Sequence, residues 1–99
     1  MAVQVLGLIE LHNPSAFEEY RKQVGATVEQ YGGRITQRGV RGDVFWNELE
    51  CKSFSAYVQI EFPTAIDAQR WAASSEYLVL VPIRNQAMQL TLFSMLPST

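Results

Sequence analysis

Hydrophobic and polar positions first alternate along this chain, then recur every three or four residues, then alternate again. Val3, Val5, Ile9 and Leu11 fall on one side of an extended segment, and Gln4, Leu6, Leu8 and Glu10 on the other. That period of two predicts a strand with two partly apolar faces. Asn13-Pro14 then signals a helix: Asn13 can cap free N–H groups, and Pro14 suits the first helical position, where a missing N–H costs nothing. Glu18 and Glu19 follow near the positive end of its dipole. Phe17, Tyr20, Val24, Val28 and Tyr31 draw an apolar stripe at helical spacing, and Gly32-Gly33 predicts its end.

Arg34 to Val40 predicts a second strand, bent at Gly39. Gly42-Asp43 marks a turn, and residues 41–53 form a hairpin arm or loop. Phe54, Ala56, Val58, Ile60 and Phe62 alternate with Ser55, Tyr57, Gln59 and Glu61, and Pro63 stops this third strand. Thr64 with Asp67 resembles a shortened capping box opening a helix through Ile66, Arg70 and Trp71. Ser74-Ser75-Glu76 restarts a helical piece toward Arg84, and Met88 to Leu96 is a last strand, apolar on both faces at its end.

This order gives two βαβ-like halves joined near residues 41–53, within one domain over residues 1–99. The expected fold is α+β: a ferredoxin-like split βαβ subunit with a four-stranded antiparallel sheet. Helices cover one face, leaving Leu6, Leu8, Tyr57, Phe93 and Met95 on the other. Composition sharpens that exposure. Only 18% of the 99 residues are charged, against an ordinary share of about 25%, and no charge follows Arg84. A chain of this length buries only about 60–65% of its unfolded surface. An uncovered apolar sheet face would aggregate, so a homodimer through the sheet faces is expected.

The net charge of −2 offers no footprint for nucleic acid. No apolar run reaches the ~18 residues of a membrane span, and the first residues lack a basic signal region, so a cytoplasmic location is expected. One Cys and one His give neither an internal disulfide nor a metal site. No phosphate loop or serine elbow occurs, and no cofactor is expected.

Several segments together resemble the family known as domain of unknown function 1330. They are Asn13-Pro14 with Phe17 to Tyr20, Tyr31-Gly32-Gly33-Arg34 leading into Arg38-Gly39, Ile60-Glu61-Phe62-Pro63, and Ala68 to Trp71 followed by Ser74-Ser75-Glu76-Tyr77. Ser75 and Asn13 depart from the family's usual Pro and acidic residue, and residues 41–53 diverge. The resemblance implies a subunit that pairs sheet-to-sheet into a dimeric α+β barrel. The wider superfamily includes cofactor-independent monooxygenases, polyketide cyclases, lactone isomerases, haem-handling enzymes and ligand-binding regulatory domains. Many of these place an apolar cleft between helices and sheet.

His12, at the end of the first strand, is a candidate general base or a surface loop residue. Arg34 and Arg38 lie four apart, which on a regular strand puts both on one face. There they would hold a carboxylate, phenolate or enolate, or would pair with Glu10, Glu48 or Glu61. Trp71 and Tyr77, approached by Tyr20 and Tyr31, form either an aromatic wall with proton-donating phenols or part of the core. Arg84 closes this cleft or caps its helix, and Trp46 clasps a dimer or covers the pocket. The expected function is a cofactor-independent enzyme of cyclase, isomerase or monooxygenase type. Its substrate would be a small apolar molecule, aromatic or polyketide-like, with Tyr77, His12 and Arg38 as catalytic groups and Arg34, Trp71, Tyr20, Tyr31, Arg84 and Trp46 as substrate contacts. The alternative is a non-catalytic small-ligand-binding or accessory dimer.

Overall fold

A computed structural model describes residues 2–98. The elements follow the order β1 (Val3–Leu11), α1 (Pro14–Glu29), β2 (Arg34–Val40), β3 (Ala56–Phe62), α2 (Ala65–Ala72), α3 (Ser75–Leu78), α4 (Val81–Ala87) and β4 (Met88–Met95). The caps are those the local chemistry favours. Asn13 Oδ1 accepts from the Ala16 N–H at 3.2 Å, and Thr64 Oγ1 accepts from the Asp67 N–H at 3.2 Å. Gly32, at φ 77°, turns the chain out of α1, a left-handed conformation that costs a glycine nothing.

The sheet runs β2-β3-β1-β4 with every pairing antiparallel, so β1 and β3 are central. Val5 lies opposite Ile60 and Val3 opposite Phe62, and these side chains meet Val24, Val28 and Trp71 beneath the helices. Burying each such side chain contributes about 1.5–3 kcal/mol. On the open face Leu6 stands between Gln59 and Phe93, and Leu8 between Tyr57 and Thr91. Phe93 and Met95 remain 43% and 36% exposed there. A polar strip shares that face: Gln4 Nε2 donates to Glu61 Oε2 at 2.7 Å, and Gln59 Nε2 donates to Gln4 Oε1 at 3.1 Å.

Residues 41–53 take the loop form of the two expected: the segment contains no strand and is exposed and irregular. One local expectation fails. β2 is irregular at Thr36 rather than at Gly39: pairing is regular to Ile35↔Ile60 and resumes one step out of phase at Gln37↔Gln59. Thr36 Oγ1 donates to the Gln59 carbonyl at 3.1 Å, holding this extra residue in place. One inserted residue reverses the inward and outward sense of everything after it. Arg34 opposes Glu61 on the open face, whereas Arg38 opposes Val58 on the helix face.

Candidate functional site

Between α1 and the sheet lies an apolar cleft whose inner end is lined by Phe17, Tyr20, Ile35, Trp71, Leu90 and Leu92. Its enclosed volume is only about 20 Å³. The outer end widens to about 340 Å³ and shares Ile9, Phe17, Arg38 and Val58 with the inner part.

Tyr20 reaches the cavity from α1 and is 8% exposed. Its hydroxyl shares a 2.9 Å hydrogen bond with the hydroxyl of Tyr77, and the rings meet edge-on with centroids 6.4 Å apart. Arg84 Nη1 donates to the Tyr77 oxygen at 2.9 Å, with the guanidinium carbon 5.7 Å from the ring centroid. Arg84 therefore reaches back across the turn between α3 and α4 to the phenol. Ser74 fixes Tyr77 from the other side: its hydroxyl donates to the Trp71 carbonyl at 2.7 Å and accepts the Tyr77 N–H at 3.1 Å, joining the end of α2 to the start of α3.

Burial pushes the Tyr20 phenol far above its ordinary range, and Tyr77 beside it pushes further in the same direction. The Arg84 and Arg38 guanidiniums pull weakly the other way. Tyr20 therefore keeps its proton through neutral and mildly alkaline pH. Its chemistry is donation, not abstraction.

Trp71 is 2% exposed, its ring tilted against Tyr77 and Phe62 at centroid distances of 4.5 Å and 5.4 Å. Its indole N–H donates to Thr27 Oγ1 at 3.0 Å, so one edge belongs to the core while part of the ring lines the inner cavity. Tyr77 stands behind Tyr20 rather than on the cavity wall, and it is Tyr20 that faces the enclosed space.

The remaining candidates disperse. Tyr31 turns to α3, where its hydroxyl donates to Glu76 Oε1 at 2.8 Å. The hydrogen bond to that carboxylate raises the proton affinity of the Tyr31 phenol. Arg34 pairs with Glu61 at 3.2 Å on the open sheet face, on the opposite side of the sheet from Arg38. His12 is exposed at the end of β1, outside both parts of the cleft. Trp46, 83% exposed, lines a concavity of about 480 Å³ formed by its own loop and does not reach over the cleft.

Arg21, not singled out from the sequence, lies at the cleft mouth with Arg38 and is held by Glu18 at 3.1 Å. Its signal was present: Arg21 follows Phe17 by four, which places a guanidinium at the border of the apolar stripe. Among the described residues no group of three or more His, Cys, Asp or Glu could hold a metal ion, and no helix is long and apolar enough to cross a membrane.

Solved structures with this architecture include a protein of unknown function from Rhodopseudomonas palustris, 17% identical, covering 99% of this chain and 83% of that one at a TM-score of 0.76. SnoaB from Streptomyces nogalater, a cofactor-independent oxygenase, is 13% identical, with coverage of 99% and 94% and a TM-score of 0.68. A dimeric ferredoxin-like protein of unknown function from Jannaschia is 8% identical, with coverage of 98% and 100% and a TM-score of 0.66. At these identities the likeness establishes the fold, an α+β ferredoxin-like subunit. No curated protein sequence matches the chain. A family model does, over residues 3–95, and the chain belongs to the domain of unknown function family DUF1330.

Proposed function

We propose that the cleft binds a small, largely apolar, enolisable molecule, aromatic or polyketide-like, and that the protein acts on it as a cofactor-independent enzyme. The observation that carries this reading is the hydrogen-bonded series from Arg84 through Tyr77 to Tyr20, which ends at an apolar cavity. Arg84 occupies one lone pair of the Tyr77 oxygen. The Tyr77 proton can then turn to Tyr20, which frees the Tyr20 proton for an oxygen in the cavity. Each bond in such a series polarises the next. As a substrate carbon loses a proton, charge moves to its oxygen, and a fixed donor there lowers the barrier. Tyr20 is the catalytic residue on this reading, with Tyr77 and Arg84 positioning it. A protonated phenol cannot also be the base, so the substrate must be acidic enough to ionise to water. The likeness to SnoaB supports oxygenase chemistry within the broader cyclase, isomerase or oxygenase range.

A second reading is a non-catalytic, ligand-binding or accessory protein. It is favoured by the inner cavity, whose ~20 Å³ admits about one water and no aromatic ring. Enolisable aromatic ketones such as anthrone, in air-saturated buffer, separate the two. Turnover above the buffer rate that falls about 10²-fold in Tyr20→Phe supports the enzyme. Saturable binding at the buffer rate supports the accessory role.

In the proposed assembly, two copies meet through their open sheet faces and close a dimeric α+β barrel. Exposed Phe93 and Met95 beside Leu6 and Leu8 support this, as does the dimeric Jannaschia structure. Light scattering should give twice the chain mass of 11.2 kDa, and Phe93→Glu should lower it toward one chain. A single-chain mass for the unaltered protein at micromolar concentration rejects the dimer.

A further inference from the structure

The outer end of the cleft carries two guanidiniums on an otherwise apolar rim: Arg38 from β2 and Arg21 from α1, above Ile9, Phe17 and Val58. Arg21 has a carboxylate partner, Glu18, on its own helix. Arg38 has none: among the described residues the only ion pairs are Arg21 with Glu18 and Arg34 with Glu61, and Arg38 makes no side-chain hydrogen bond. The residue is exposed as a whole, yet it lines both the inner and the outer part of the cleft. Burial, and then repulsion from Arg21, loosen its proton, while Tyr20 and Glu18 oppose this more weakly. A cation partly withdrawn from water beside a like charge is unfavourable unless an anion joins it. Counting Arg21, Arg38 and Glu18, the mouth carries one net positive charge on a chain whose net charge is −2. The local field is therefore opposite to that of the chain as a whole.

We propose that this mouth receives the carboxylate of a ligand that is an apolar monoanion, with Arg38 as its main contact and Arg21 as the second. The planar fork of a guanidinium matches two carboxylate oxygens, and the apolar body then lies over Ile9, Phe17 and Val58 toward Tyr20. This rests on the cleft reading above and adds a substrate class: molecules with a permanent negative charge at one end and the reacting oxygen at the other. Arg38 then serves binding, and Tyr20 the chemistry.

The test compares naphthalene-2-carboxylate with its uncharged carboxamide by calorimetric titration of the full chain. The carboxylate is expected to bind about tenfold more tightly, a preference that weakens as salt rises. Arg38→Gln should bring the two probes within about twofold, and an unchanged circular dichroism spectrum shows that the variant is folded. Arg21→Gln should reduce the preference to about threefold, and Arg34→Gln should leave both affinities as they are. Equal affinities in the unaltered protein, or a preference that survives Arg38→Gln, overturn the carboxylate site and leave the cleft reading standing. If neither probe binds, both fail together.

Discussion

Tyr77→Phe and Tyr20→Phe each delete one oxygen from the same buried pair, and the structure makes their costs unequal. Tyr77 has two hydroxyl partners, Arg84 and Tyr20, each at 2.9 Å, whereas Tyr20 has Tyr77 alone. Removing the Tyr77 oxygen leaves the Tyr20 hydroxyl without a protein partner in a residue 8% exposed, a loss of about 1–3 kcal/mol. Arg84 is half-buried and regains water, so its lost bond adds only about 1 kcal/mol, below the ~1.5–3 kcal/mol of a typical bond to a charged group. The expected total is about 2–4 kcal/mol. Removing the Tyr20 oxygen leaves Tyr77 held by Arg84 and costs about 0.5–1.5 kcal/mol, one neutral hydrogen bond. In the double variant the second deletion removes a hydroxyl already orphaned, so the single costs should exceed their combination by about 1 kcal/mol. Urea unfolding at fixed protomer concentration measures all three, since association moves the midpoint by mass action. In melting temperature, with about 4–8 °C per kcal/mol at this size, Tyr77→Phe should fall by at least about 8 °C and Tyr20→Phe by about a third as much. A Tyr20→Phe cost equal to or above that of Tyr77→Phe, or strict additivity, refutes the series as described.

Three further outcomes follow from the same geometry. Hydrogen bonds from Gln4 and then Arg34 hold the Glu61 carboxyl below its ordinary 4.5, and Ser75 and then Tyr31 do the same for Glu76. Their ionised forms therefore stabilise the fold above pH 4.5, and that contribution disappears as pH falls through the lowered values. Glu61→Gln should flatten the acid limb of melting temperature against pH; an unchanged limb contradicts this. Tyr20 is shifted upward, so its stabilisation persists through pH 10 and is lost only as pH rises further. At about pH 11, phenolate absorbance at 295 nm should be the same for the folded protein and Tyr20→Phe. A deficit of one phenolate in the variant shows that Tyr20 ionises normally. Finally, a Cβ on Gly33 would sit 2.7 Å from the Phe62 ring and 2.9 Å from the Glu61 carbonyl oxygen. Gly33→Ala should cost about 1–3 kcal/mol in chemical denaturation, since neither the fully buried ring nor the backbone can yield freely; a loss below about 0.5 kcal/mol would show that they do.

Much of the fold was legible because it is written in local chemistry. Asn13-Pro14, Thr64 with Asp67, and Ser74 are short-range capping devices, and each opens a helix where those residues predict one. The alternation in β1 separates Val3, Val5 and Ile9 from Leu6 and Leu8 as the sheet does. The candidate site was only partly legible. The aromatic grouping pointed toward Tyr20, Tyr77 and Trp71, but which phenol faces the cavity depends on how α3 docks behind α1, a tertiary fact with no sequence period. The pairing of Arg34 with Arg38 failed because counting by two assumes an unbroken ladder, and a slip is set by the partner strand. Arg21 is not legible as a site residue because it borders the apolar stripe, where an arginine reads as a solvated surface residue. His12, the only histidine, drew attention by its chemistry and lies outside the cleft.

The extra residue at Thr36 also affects how relatives of this protein should be compared. Partners on β3 run Ile60, Gln59, Val58 while β2 supplies Ile35, Gln37, Arg38, so the ladder skips Thr36 altogether. A homologous strand one residue shorter would keep the same inward arginine at a spacing of three from its outward one. One of equal length without the slip would carry that arginine on the open face of the sheet. Between strands that differ in this slip, equivalence therefore belongs to cross-strand partners rather than to distance along the chain, and an ungapped alignment of such a pair would match residues from opposite faces.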